Sequence, residues 1–196
     1  MKNLKLKMLF VLIASVALLT GCNNDDESED VSPYVGSYVI TKATLTKALT
    51  LTTNFGPYTI NTGTDITQII QQALLSAITC TPDKSLIELK EDYSMLMKCE
   101  GTTNQINAGT WEEVSAMILK LNMNSAAIPS SPTGFVLTVN NVSLNNKVLS
   151  GSTNVPIPKE MAAVIVTSLS SGLASLNMAA TPAVVPIDFS IELTQK

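Results

Sequence analysis

The stretch Ser85-Leu86-Ile87-Glu88-Leu89-Lys90-Glu91-Asp92-Tyr93-Ser94-Met95-Leu96-Met97-Lys98-Cys99 decides the fold class. Ile87 and Leu89 alternate with Glu88 and Lys90, and past Glu91-Asp92 the residues Tyr93, Met95 and Met97 alternate with Ser94, Leu96 and Lys98. Successive side chains on a strand point to opposite faces, so a period of two with one apolar side marks a strand half buried against a core. Two such runs about a short acidic turn form an antiparallel hairpin. Cys99 falls in phase with its apolar side.

The same pattern continues outward in both directions. After a turn over 101–107, Gly109 to Val114 and then Met117, Leu119, Leu121 and Met123, alternating with Ile118, Lys120 and Asn122, predict more antiparallel sheet. Methionines 95, 97, 117 and 123 then share one face, as core filling or as an adaptable pocket. A Pro-rich connection over 128–134 leads to Phe135, Leu137 and Val139, then Val142 and Leu144, then 148–155, with breaks at Asn140-Asn141 and Asn145-Asn146. The chain closes on Ile187, Phe189, Ile191 and Leu193 alternating with Asp188, Ser190 and Glu192. Upstream, Gly36 opens a strand with Tyr38 and Ile40 on one side; β-favouring residues run from Thr44 to Thr52, and a turn at Asn54-Phe55-Gly56-Pro57 precedes Tyr58-Thr59-Ile60.

Two segments switch to a helical period. Ile66, Ile69, Ile70, Ala73, Leu74, Ala77 and Ile78 recur at offsets of three and four behind a Thr64-Asp65 cap, which predicts a helix over about 64–79. Pro158 opens a second over about 159–177, with Met161, Ala162, Ile165, Leu169, Leu173 and Leu176 on one face. Its serines and Gly172 weaken it.

The N-terminus gives an address. Lys2, Lys5 and Lys7 precede an apolar run from Met8 to Leu19, and Thr20-Gly21 supply the small residues of a cleavage site, so 1–21 reads as a signal peptide. Leu18 to Cys22 resembles the bacterial lipobox, which implies cleavage before Cys22 and acylation of that residue. Residues 22–32 form an acidic tether. Residues 33–196 then form a single domain of a size that can bury a substantial core. Asp25-Asp26-Glu27 resembles the acidic export signal of surface-displayed Bacteroidetes lipoproteins, and implies an outer-membrane protein anchored by lipid on Cys22 and exposed at the cell surface. With Cys22 acylated, Cys80 and Cys99 remain in an oxidising compartment and are expected to form one structural disulfide.

Gly36-Ser37-Tyr38, Cys80-x2-Asp83 before the hairpin, Cys99 at its end, and Gly109-Thr110-Trp111 together resemble the lipocalin-like (calycin-like) domain of Bacteroidetes lipoproteins over about 34–150. That resemblance implies an antiparallel meander curling into a small barrel, with the two helices as accessories. The alternative is a BPI-like tubular lipid-binding fold, which also combines a long helix with a wrapped sheet. Both bring an apolar interior within reach of a small hydrophobic ligand.

Composition narrows the chemistry. The chain has no histidine, which removes Ser-His-Asp and Cys-His catalysis and the common zinc sites. Glu88, Asp92, Glu112 and Glu113 fall in hairpin or strand positions that read as solvated surface. No nucleotide, metal or cofactor motif is present, and none is expected to be used. Without residues 1–21, which hold three of the 12 basic residues and none of the 16 acids, the net charge is about −7, and with no arginine the chain lacks the charge that nucleic acid requires. The expectation is a non-catalytic module that binds an apolar small molecule or lipid; the alternative is a surface-displayed structural or interaction domain with a filled core. Ile87, Leu89, Met95, Met97, Leu119, Leu121, Phe135, Leu137, Phe189 and Ile191 should converge on one interior, and its emptiness or fullness separates the two.

Overall fold

In the computed structural model, which describes residues 31–75, 77–128, 134–170, 172 and 174–196, the decisive hairpin forms from β4 (Ser85–Leu89) and β5 (Ser94–Cys99). Ile87 stands opposite Met97 and Leu89 opposite Met95, so the apolar sides meet on one face. The meander continues through β6 (Gln105–Ser115), β7 (Ile118–Met123), β8 (Phe135–Asn145), β9 (Val148–Pro158) and β10 (Val184–Gln195), each antiparallel to the last. β1 (Gly36–Leu45) pairs with both β10 and β4, closing an eight-stranded barrel in the order β1-β10-β9-β8-β7-β6-β5-β4. The architecture is that of a lipocalin-like barrel with two accessory helices, and a closed barrel takes the place of the wrapped tubular alternative.

The seam of the barrel is short. β1 meets β4 only through Gly36, Ser37 and Tyr38, opposite Leu89, Glu88 and Ile87. Beyond Tyr38 that edge of β1 would present unpaired backbone groups, and such groups need partners when buried. The segment leading into helix α1 (Thr67–Leu75) supplies them. Gly63 N–H donates to Leu45 O at 2.8 Å and Ile66 N–H to Ala43 O at 2.9 Å. Ala43 N–H donates to Thr67 Oγ1 at 2.8 Å, and Gln71 Nε2 donates to Ile40 O at 2.8 Å. A helix thus stands where a strand would otherwise complete the seam.

The two barrel ends differ. One is closed by tight turns at 90–93, 116–117 and 146–147; in the last, Asn146 and Lys147 have φ of 49° and 67°, the two left-handed residues of a type I′ hairpin. Tyr34 Oη donates to Ala116 O, Tyr38 Oη to Tyr34 O and Trp111 Nε1 to Lys90 O, each at 2.9 Å, so the aromatics plugging this end keep their polar atoms satisfied. The opposite end carries α1, helix α2 (Lys159–Leu169) between β9 and β10, and a separate hairpin of β2 (Leu49–Thr53) and β3 (Gly56–Ile60). The hairpin is tied to 175–177 by Asn177 N–H to Thr52 O at 2.9 Å and Asn54 N–H to Ser175 O at 3.0 Å.

Both helices are shorter than their periodicity predicts. At the start of α1, Thr64 and Asp65 are engaged by the edge of β1, and Asp65 Oδ1 accepts the Thr67 N–H at 2.8 Å as the cap. At its end the chain must turn to bring Cys80 to Cys99. α2 stops at Leu169 rather than 177: Gly172, at φ 78°, donates back to Thr167 O at 2.9 Å, and Ser170 Oγ accepts the Ala174 N–H at 3.1 Å. The Ser170 side chain here competes with the helical ladder, and Leu176 is drawn into a bridge with Thr53. Leu173 lies outside the described residues.

Three strand expectations also change. Tyr93 is in the turn at φ 60° and 53% exposed, not on the apolar face, and its ring lies 5.1 Å from that of Trp111. Met117 sits in the β6–β7 turn at 56% exposure, so only Met95, Met97 and Met123 of the four methionines are buried. Asn140-Asn141 is a bulge within one continuous β8, with Asn141 at φ 53°, rather than a break between strands.

Candidate functional site

The barrel interior is packed. Tyr38, Ile40, Leu89, Met95, Met97, Trp111, Leu119, Leu121 and Leu137 are all less than 2% exposed, and Ile87, Phe189 and Ile191 belong to the same cluster, with Phe135 partly buried against it. Small barrels of eight strands are just wide enough for side chains to fill. The expected convergence on one interior is therefore present, but side chains occupy it, so the interior gives no room for a ligand and by that criterion favours the interaction reading; binding of a small molecule has to rest on a site outside it. Among the described residues one buried side-chain polar atom is unsatisfied: Thr153 Oγ1, on β9 opposite Val139 and Phe189, has no hydrogen-bond partner.

Among the described residues, spaces of ligand size lie elsewhere, and they include four surface clefts of about 330–540 Å³. None is lined by Met95, Met97, Leu119, Leu121 or Leu137. The cleft beside the β1–β4 seam is bordered by Glu88, Lys90, Glu91 and Asp92, and one near the β7–β8 connection by Asn122, Asn124 and strand backbone. A third, on the far side of α1, combines Leu75 and Ile78 with Gln71, Gln72 and Ser85. The fourth differs in kind. It holds about 350 Å³ between α1 and α2, lined by Ile69 and Ala73 from one helix, Met161 and Val164 from the other, and Pro158 just before α2. Gln72 and Glu160, both exposed, complete its lining. A volume of a few hundred Å³ with apolar walls and few polar groups is the usual form of a small-molecule site.

Local sequence explains why this cleft is apolar. α1 buries Ile69, Ile70, Leu74 and Leu75, and α2 buries Ala162, Ile165 and Val166. Each helix has an apolar stripe wider than the barrel can cover. Ala73 and Met161, at the stripe margins, are half-buried, and Val164 is 49% exposed. The facing helices are separated enough that these margins line an open slot. The signal was present in the helical periodicity of both segments, but which residues face each other depends on the packing of one helix against the other.

The other singled-out residues are placed as follows. Cys80 and Cys99 are bonded, with Cα atoms 5.6 Å apart, and tie the end of α1 to the end of β5. Glu88 pairs with Lys98 at 2.9 Å and Glu112 with Lys120 at 3.6 Å, while Glu113 Oε2 accepts the Ser32 hydroxyl at 2.7 Å. Asp92 Oδ1 accepts the Ser94 N–H at 3.0 Å in the hairpin turn, and its hydrogen bonds with Ser94 hold its carboxyl below the ordinary range. These four carboxylates lie on the strands and turns of the barrel, and none lines the α1–α2 cleft. Cys22, Asp25, Asp26 and Glu27, with the signal and tether segments, fall among residues 1–30, outside the described residues. No protein family, curated protein or solved structure matches the chain.

Proposed function

We propose that this chain is a cell-envelope lipoprotein, anchored in the outer membrane through lipid on Cys22 and displayed at the cell surface, whose barrel domain is a non-catalytic binding module for an apolar small molecule or lipid. The observation that carries the binding reading is the α1–α2 cleft, about 350 Å³ with apolar walls at the helix-bearing end of the barrel. A rigid packed barrel supports it by holding both helices in place. The envelope reading is supported by the lysines, apolar run and Gly21-Cys22 ending of the N-terminus.

The test is titration of the purified protein with N-phenyl-1-naphthylamine, an uncharged apolar dye whose emission rises on leaving water. Saturable enhancement at micromolar protein, abolished by Val164→Asp but kept by Val114→Asp on the distant β6–β7 end, is the expected result. Absence of saturable binding would favour a second reading, a surface interaction domain, which the filled barrel supports. For the anchor, Cys22→Ala should release the protein from membranes or leave it unprocessed; unchanged size and membrane retention count against it.

A further inference from the structure

Resting on the reading of the α1–α2 cleft as a ligand site, we infer that its ligand is an apolar chain ending in a hydrogen-bond donor without negative charge, an alcohol or an amine, and that carboxylate-headed chains such as fatty acids are disfavoured. The polar groups that border the cleft decide this. Among the described residues, Glu160 is its one charged lining residue and Gln72 its only amide, and no lysine lines it. Lys159, the nearest cation in sequence, directs its Nζ to Met178 O at 3.3 Å.

The remaining cations among the described residues are in ion pairs or lie on turns that do not line the cleft. Lys42, Lys47, Lys98, Lys120 and Lys196 are in ion pairs with Glu192, Asp188, Glu88, Glu112 and Glu100, and Lys84, Lys90 and Lys147 belong to other loops. Glu160 is in no ion pair among the described residues. It stands in the first turn of α2, where the helix dipole favours a carboxylate. That positive end is therefore already matched by the protein's own carboxylate, so an entering anion would meet Glu160 rather than free helix charge. An alcohol or ammonium group at the rim instead donates to the Glu160 carboxylate or to the Gln72 carbonyl oxygen, while the chain lies along Met161 and Val164.

Dodecylamine, dodecanol and dodecanoate share one chain and differ only in the head. In displacement of N-phenyl-1-naphthylamine below their solubility limits, the amine and the alcohol should compete at concentrations about three- to five-fold lower than the carboxylate, the scale of one exposed charge repulsion. Glu160→Gln should shrink that gap, and Gln72→Lys should favour dodecanoate; both positions are exposed, so neither change threatens the fold. Dodecanoate competing as well as the other two, or a gap untouched by both variants, would overturn the inference while leaving an apolar site in place. A dye that never binds would remove the site, and the inference with it.

Discussion

Thr153 Oγ1 is the one buried side-chain polar atom, among the described residues, with no hydrogen-bond partner. A hydroxyl in an apolar interior has lost its water without recovering a bond, and valine has nearly the same shape without that penalty. Thr153→Val should therefore raise stability by about 1 kcal/mol in denaturant unfolding followed by Trp111 fluorescence; a loss of similar size would show that the hydroxyl is satisfied. Gly109 is the opposite case. It has φ 129° beside the bulge where β5 and β6 shift register, and a side chain there would run into the Asn122 carbonyl oxygen. Gly109→Ala combines backbone strain with a clash against backbone that cannot yield, and should cost at least about 2 kcal/mol in the same assay. Neither residue's role was legible in the sequence. Thr153 reads as an ordinary strand threonine, and only the barrel around it shows that its hydroxyl faces an apolar interior.

At the scale of elements, the disulfide and the cap at the start of α1 hold the segment that completes the seam. Cys80 and Cys99 are 19 residues apart, and cross-linking a loop of that size stabilises by about 3 kcal/mol in the chain-entropy model. Replacing both with serine should lower stability by that order, and free thiols at both positions in protein from its native compartment would contradict the bridge. Asp65 has its carboxyl pKa lowered, first by its bonds with the Thr67 side chain and backbone. A carboxylate with a depressed folded pKa contributes stability above its unfolded value, roughly 4, and that contribution is lost as pH falls through the folded value. Asp65→Asn should therefore flatten part of the acid-side decline in Tm below about pH 4; an unchanged profile would remove the cap from the account. The strands were legible because alternation of apolar and polar residues reports a sheet face directly, as in Ile87 and Leu89 or Phe189 and Ile191. Helix lengths were not: periodicity continues past Leu169, but Gly172 and Ser170 end α2, and Leu176 serves a bridge to Thr53 instead. Tyr93 and Met117 kept the strand phase in sequence and were lost to turns, where phase no longer reports burial.

At the scale of the whole molecule, a closed barrel filled by its own side chains leaves its interior without ligand-sized space, and among the clefts described the apolar-walled one lies where the two accessory helices meet. The barrel acts as a platform, and the helices at one of its ends border the candidate cleft. Composition made the apolar character of the chain and its lack of histidine chemistry legible, but the cleft arises between segments about ninety residues apart, which no local pattern joins. The most direct test is a methyl NMR titration of the protein, labelled at Ile, Leu, Val and Met methyl groups, with N-phenyl-1-naphthylamine. Shifts should concentrate at Ile69, Met161 and Val164 while Met95, Met97, Leu119 and Leu121 stay unmoved. Shifts concentrated on those four barrel residues, with the helix methyls unmoved, would contradict it and return the ligand to the interior.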